Sequence, residues 1–250
     1  MTLTSVEILT MLAQYDTPTI CNVIEMFRHH PRNTGFLSQH VRAIFPEIPP
    51  MVGYAVTVKF RSSTVATPAE RPVGFPELIA AWQSIPSPRV VVIQDLDNPT
   101  AGAVCGEIMV TLCKAFGCVG LVTNGSVRDV HQIRSLQFPC FASGISPSHA
   151  NCRLLDAGSP VAVDNMIIKM GDLLHADANG VTTIPNEIAE KVAGNCAAYV
   201  AAERILIDGA KTGTPLSIER LQTAIDDFAI QHDQLSKRIS GEVADRRVGV

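Results

Sequence analysis

What is missing narrows the function of this 250-residue chain first. No apolar run approaches the roughly 20 residues that a membrane-spanning helix needs. There is no surplus of positive charge: the formal net charge is −4 and the pI about 6.0, so no nucleic-acid surface is expected. The first ten residues carry Glu7 and no basic side chain, so no secretory signal is expected and the chain reads as cytoplasmic. No two of the seven cysteines, Cys21, Cys105, Cys113, Cys118, Cys140, Cys152 and Cys196, have the C-x-x-C spacing of a zinc site. Most sit in apolar company and read as buried, reduced thiols. Internal repeats, low-complexity segments and a clean linker are absent too.

What is present is the composition of an ordinary globular domain, 46% hydrophobic and 18% charged. Apolar spacing and cap residues predict helices over Ser5–Tyr15, Pro18–Phe27, Pro72–Ser84, Glu107–Phe116, Val127–Ser135, Glu187–Leu206 and Ser217–Leu235. Within Thr100–Phe116, the residues Ala103, Ile108, Met109, Leu112 and Phe116 are expected to form the buried face. Runs rich in β-branched residues predict strands at Gly53–Arg61, Arg89–Asp95, Cys118–Thr123 and Phe138–Ala142. Four short strands between Val161 and Ile184, separated by turns, read as a β-meander. Arg28–Pro50 and Ser143–Gly158 read as loops, and Ser236–Val250 as a charged, loose tail.

One stretch carries chemistry. Glu107 stands twenty-one positions before the pair Arg128-Asp129. A helix and then a short buried strand separate them, which carries the chain out and back to one rim. Two carboxylates and a guanidinium there make a site for a divalent metal and a carboxylate anion. A helix beginning near Gly106 would add its free N–H groups to the anion site. Arg128 in a first helical turn opposes the helix dipole, which an anionic ligand would explain.

Other candidates have plainer explanations. Adjacent His29 and His30 read as a solvated loop, because no third metal ligand is near. Lys59 is a conceivable Schiff-base lysine but reads as a strand lysine facing water. Asp95 and Asp97 follow a strand, where acids either reach a site or simply make a turn. Asp172, Asp177 and Asn179 lack the closing glutamate of a calcium loop and read as turn residues.

The stretch GEIMVTLCKAFGCVGLVTNGSVRD, residues 106–129, resembles the RraA-like family. This family includes the class II 4-hydroxy-4-methyl-2-oxoglutarate / 4-carboxy-4-hydroxy-2-oxoadipate aldolases and the regulators of ribonuclease E activity. MVGYAVTV from Met51, FPCFASGISP from Phe138 and GDLLHADANGV from Gly171 support the likeness. It implies an α/β fold: an αββα sandwich with a central β-barrel-like core flanked by helices. The whole chain, 1–250, would be one such domain with its core at about 50–185 and helical extensions at both ends. Homotrimers or hexamers are implied, with sites between subunits.

The aldolase branch carries an acid, twenty residues, then Arg-Asp, matched here by Glu107, Arg128 and Asp129. The likeness implies that these three are catalytic. It implies that Gly106, Glu107, Ile108, Met109 and Arg128 bind a small 2-oxo acid. Asp129 would hold Mg²⁺ or Mn²⁺ directly and Glu107 through water. The implied activity is cleavage of a 4-hydroxy-2-oxo acid to pyruvate, with oxaloacetate decarboxylation beside it. Glu203 is a candidate for a glutamate donated from a neighbouring subunit. The alternatives are a non-catalytic regulator of a ribonuclease or other partner, and a sugar-acid dehydratase or lyase. Asn124 and Gln132 depart from the acids common at those positions, and Glu107 stands where Asp is usual.

Overall fold

The computed structural model describes residues 4–211 and 216–244. Two helices open it: α1 (Val6–Leu12), capped by Ser5, and α2 (Thr17–Met26), capped by Asp16 with Pro18 in its first turn. The long connection that follows carries only β1 (Arg42–Ala43). Strands and helices then alternate through β2 (Met51–Arg61), α3 (Phe75–Trp82), β3 (Arg89–Asp95), β4 (Ala103–Cys105), α4 (Glu107–Ala115), β5 (Cys118–Thr123), β6 (Ser126–Val127), α5 (Val130–Ser135), β7 (Cys140–Ala142) and β8 (Gly144–Ile145). After them come β9 (Arg153–Ala157), β10 (Val161–Val163), β11 (Met166–Ile168), β12 (Leu173–Asp177) and β13 (Gly180–Ile184). Two long helices follow, α6 (Ala189–Lys211) and α7 (Ile218–Ala244).

The main sheet has the order β1-β7-β5-β3-β2-β12-β13, with β9 also on β2. Strands β2, β3, β5 and β7 are parallel, joined by helical crossovers. β2 is long enough for two partners on its other edge: Met51–Tyr54 pairs with β12, and Val58–Arg61 with β9. Its even-numbered residues, such as Tyr54, Val56 and Phe60, enter one core, beneath α1, α2, α3 and α6. Met51 and Ala55 enter a second core with Val161, Val163 and Ile168 of the β10–β11 hairpin. A strand covered on both faces reads as a continuous apolar run, and β2 does. The result is the expected mixed α/β fold, a nearly closed barrel-like sheet flanked by helices.

A second, smaller sheet positions the site. Each of β3, β5 and β7 is followed by a short strand, β4, β6 and β8 respectively, and these three pair in parallel with one another. Helices α4 and α5 begin two and three residues after the ends of β4 and β6. The segments preceding the two helices are therefore held side by side.

Several expectations fail for physical reasons. Ile108, Leu112 and Phe116 are not buried; Ile108 is 75% exposed, and the sheet is met instead by Val110 and Cys113. Helix α4 has two apolar sides, and spacing alone does not say which one is covered. Ala103 is buried, but in β4 rather than in a helix. Arg128 and Asp129 precede α5 instead of lying in its first turn. The Ser143–Gly158 segment contains β8 and the five-residue β9. The Val161–Ile184 strands form two separate hairpins, one outside the main sheet, rather than one meander. Helix α7 continues to Ala244, where a loose tail was expected from Ser236; residues 245–250 of that tail lie outside the described residues. Five cysteines are buried as free thiols, and burial pushes Cys105 up to about 12, but Cys152 is exposed.

Candidate active site

The site grows from the register of β4 on β6. Ala103 faces Ser126 and Cys105 faces Val127. The next residues in each strand, Gly106-Glu107 and Arg128-Asp129, are thereby neighbours although twenty-one positions separate Glu107 from Arg128. The Arg128 N–H donates to the Cys105 carbonyl at 3.0 Å and locks the two segments together. Asp129 then adopts a left-handed conformation (φ 57°, ψ 42°), which aspartate tolerates better than most residues.

The acid and its neighbours converge on one oxygen. The Glu107 N–H donates to Asp129 Oδ2 at 3.0 Å, and Arg128 Nε lies 3.6 Å from the same atom. Gly106 makes this approach possible. A Cβ there would sit 2.9 Å from Arg128 Nε and would collide with Asp129 Oδ2. Because Asp129 takes the Glu107 amide, the first-turn amides left to a ligand on α4 are those of Ile108 and Met109. The carboxylate of Glu107 is exposed and without a partner among the described residues.

Gly106, Ile108, Met109 and Arg128 line a cavity of about 670 Å³. Glu107 and Asp129 stand beside it at the rim rather than in its wall. Asp129 engages only Oδ2 with protein, and no group of three or more His, Cys, Asp or Glu side chains among the described residues is arranged around a metal. One carboxylate with an open oxygen, Asp129, and a second, Glu107, at the start of α4, fit a hard ion such as Mg²⁺ that keeps much of its water. They do not fit the closed protein cage of structural zinc.

The neighbouring acids divide by their partners. Asp97 is consumed by structure: it accepts from the Ser62 and Ser63 amides at 2.7 and 2.8 Å and from the Ser63 hydroxyl at 2.6 Å, with Arg61 Nε at 3.5 Å. Burial pushes its carboxyl up, but these donors win and hold it below the usual carboxylate range. Asp95 is buried, and burial raises its pKa. Its Oδ1 accepts the Asp97 N–H, while Oδ2 has no partner. Neither acid lines the cavity. The Asn124 amide bridges the Asp95 backbone in both directions, accepting from its N–H at 2.8 Å and donating to its carbonyl at 2.9 Å. An aspartate at 124 could not make the second bond, so this departure has a local structural reason.

The remaining candidates lie elsewhere. Lys59 pairs with Asp156 at 3.3 Å, outside the cavity lining. His29 pairs with Glu187 at 3.1 Å and, with His30, borders a second cavity of about 450 Å³. Asp172 and Asp177 accept from turn and helix-start amides, as turn acids do. Glu203, half-buried on α6, faces Asn22 of α2 at 3.5 Å. Sequence reasoning missed Arg153, which lines the cavity from β9. A single arginine opening an apolar run was the available signal, but it lay in a segment read as loop.

A family model described as RraA-like, Aldolase/RraA, matches residues 17–183. Among curated proteins, the chain is 30% identical over 138 residues to Protein DlpA of Legionella pneumophila, covering 54% of this chain and 22% of that protein. It is 30% identical over 107 residues to a Halalkalibacterium halodurans protein named "Putative 4-hydroxy-4-methyl-2-oxoglutarate aldolase", covering 42% and 51%. The chain thus spans about half or less of the length of these relatives. Among solved structures, it is similar to an uncharacterized protein from Pseudomonas syringae pv. tomato, with a TM-score of 0.68, 23% identity and coverage of 90% and 99%. It is also similar to Streptomyces coelicolor RraAS2, with a TM-score of 0.64, 22% identity and coverage of 80% and 96%. At these identities the structural likenesses speak to the fold alone.

Proposed function

This chain belongs to the RraA-like family, and from that footing we propose that it is a divalent-metal-dependent lyase that cleaves a 4-hydroxy-2-oxo acid to pyruvate and also decarboxylates oxaloacetate. The observation that carries this reading is the convergence of the Glu107 N–H and Arg128 on Asp129 Oδ2 at the edge of a cavity lined by Arg128.

The residues divide the work. The Ile108 and Met109 amides and the Arg128 guanidinium hold the substrate carboxylate and keto group. Asp129 directly, and Glu107 through water, would hold Mg²⁺ or Mn²⁺, which supplies Lewis-acid polarisation of the keto oxygen. The C4 hydroxyl gives its proton to a water at the rim, where the Glu107 and Asp129 carboxylates favour the positive charge. The C3–C4 bond then breaks and leaves a pyruvate enolate, whose oxygen is stabilised by Arg128. Protonation at C3 completes pyruvate. Loss of CO₂ from oxaloacetate leaves the same enolate. The family likeness also supports a homotrimer or hexamer, and light scattering reads that state directly.

A pyruvate-coupled assay with oxaloacetate and with 4-hydroxy-4-methyl-2-oxoglutarate tests the reading. Pyruvate release that needs Mg²⁺ and stops with EDTA is the expected result. Absence of release from either compound with either metal contradicts it.

A further inference from the structure

Beyond Arg128, most of the cavity wall is hydrocarbon: Phe60, Val73, Phe75, Met109 and Leu112 face it, its other polar side chains are His149, Asn151, Cys152 and Arg153, and no Asp, Glu or Lys side chain among the described residues belongs to the lining. Its only other arginine among the described residues is Arg153, and that charge is occupied. Nη1 donates to the Thr64 and Asn151 carbonyls, while Nη2 reaches Thr64 Oγ1 at 3.1 Å and Glu70 Oε1 at 3.2 Å. Only Nε lacks a partner, on a side chain 5% exposed. Arg153 therefore braces the 62–74 segment as a cavity wall and is already neutralised by Glu70.

Resting on the lyase reading above, the geometry points to a 4-hydroxy-2-oxo acid whose C4 substituent is a bulky apolar group, aryl or branched alkyl, rather than a second carboxylate. The 2-oxo carboxylate takes Arg128 and the α4 amides, and among the described residues the lining holds no lysine and no unpaired second arginine for another; its one imidazole, His149, turns Nδ1 to the Ala150 carbonyl at 2.7 Å. A second carboxylate against Val73, Phe75 and Leu112 would lose its water without a replacement. A phenyl ring there gains by burial and by edge contacts with Phe60 and Phe75. The volume of about 670 Å³ is within the range of sites for drug-sized ligands, more than a short dicarboxylate fills. The apolar side of α4 thus has a use other than packing on the sheet. The reaction balances without a co-reactant: water at the rim takes the hydroxyl proton, C3–C4 breaks with its electron pair left on the enolate, the apolar aldehyde departs, and water returns one proton to C3.

The test pairs turnover with binding. Turnover compares 4-hydroxy-2-oxo-4-phenylbutanoate with 4-hydroxy-4-methyl-2-oxoglutarate by pyruvate release. Binding compares the non-cleavable 2-oxo-4-phenylbutanoate with 2-oxoglutarate by calorimetry on the Mg²⁺-loaded protein. The phenyl compounds should be preferred by about tenfold or more in both. Val73→Lys should shrink or reverse the preference, and so should Val65→Lys, at a cavity-lining residue 74% exposed where a lysine leaves the fold intact. Equal or tighter binding of the dicarboxylate, or a preference unmoved by both lysines, overturns this assignment and leaves the lyase reading standing if pyruvate is released. A phenyl preference in binding with no cleavage of either substrate keeps the ligand class and removes the lyase reading.

Discussion

Asp97 and Asp129 look alike in outline and differ in what they have left to give. Each lies just beyond a strand, and each has an arginine Nε close by, Arg61 at 3.5 Å and Arg128 at 3.6 Å. Asp97 is buried and accepts from two amides and a hydroxyl, so its carboxylate is saturated by its own chain. Asp129 accepts one amide, on Oδ2, and stands at an open rim. A saturated carboxylate organises a loop; an unsaturated one beside a cavity can take a ligand. The lesson is that the protein's own hydrogen bonds, more than the acid's place after a strand, separate structure from function.

Substitutions sharpen that contrast. Arg128→Ala should lower kcat by roughly 10²–10³-fold, the scale of losing a donor to a developing oxyanion, with the melting temperature unchanged. Near-normal turnover of oxaloacetate by this variant would break the contrast from the functional side. Asp97→Ala should do the reverse. It strands the buried Ser62 amide and the partly buried Ser63 amide, so a stability loss of about 1–3 kcal/mol is expected from chemical denaturation, with kcat of the folded fraction little changed. Gly106→Ala sits between the two: its new Cβ would press on Arg128 Nε and Asp129, so kcat/KM should fall about tenfold, or about 1.4 kcal/mol, with a small stability change.

The smallest effect is in pH dependence and separates Asp95 from Asp97. The raised carboxyl of Asp95 binds a proton more tightly in the folded state. Its contribution to stability is therefore full at low pH and is lost as pH rises through the folded pKa. The lowered carboxyl of Asp97 contributes above the ordinary aspartate value of about 3.9 and loses that contribution as pH falls. Asp95→Asn should flatten the decline on the rising side only. Denaturation curves across pH that are parallel for variant and wild type would contradict this.

Much of this arrangement was legible in the sequence, because it rests on signals that survive in one dimension. The buried strands β2, β3 and β5 are long runs of β-branched residues, and α4 starts where Gly106 ends the preceding segment. The pairing of Glu107 with Arg128-Asp129 was inferred from one helix and one strand lying between them. The actual device, β4 on β6, was not visible, since strands of two or three residues have no periodicity to read. The orientation of α4 was also hidden: its Ile108–Leu112 side and its Val110–Cys113 side are both apolar, and only the tertiary fold decides which is covered. Arg153 escaped because its bonds to Thr64 and Glu70 cross more than eighty positions of sequence.

Asp129 is the residue proposed to take the cation. Electron paramagnetic resonance of Mn²⁺, titrated into wild type and Asp129→Ala in the presence of pyruvate, tests this without relying on turnover. A bound-Mn²⁺ signal in wild type, with affinity weakened by about tenfold or more in the variant, is the predicted result. Equal Mn²⁺ affinity in the two proteins would contradict it.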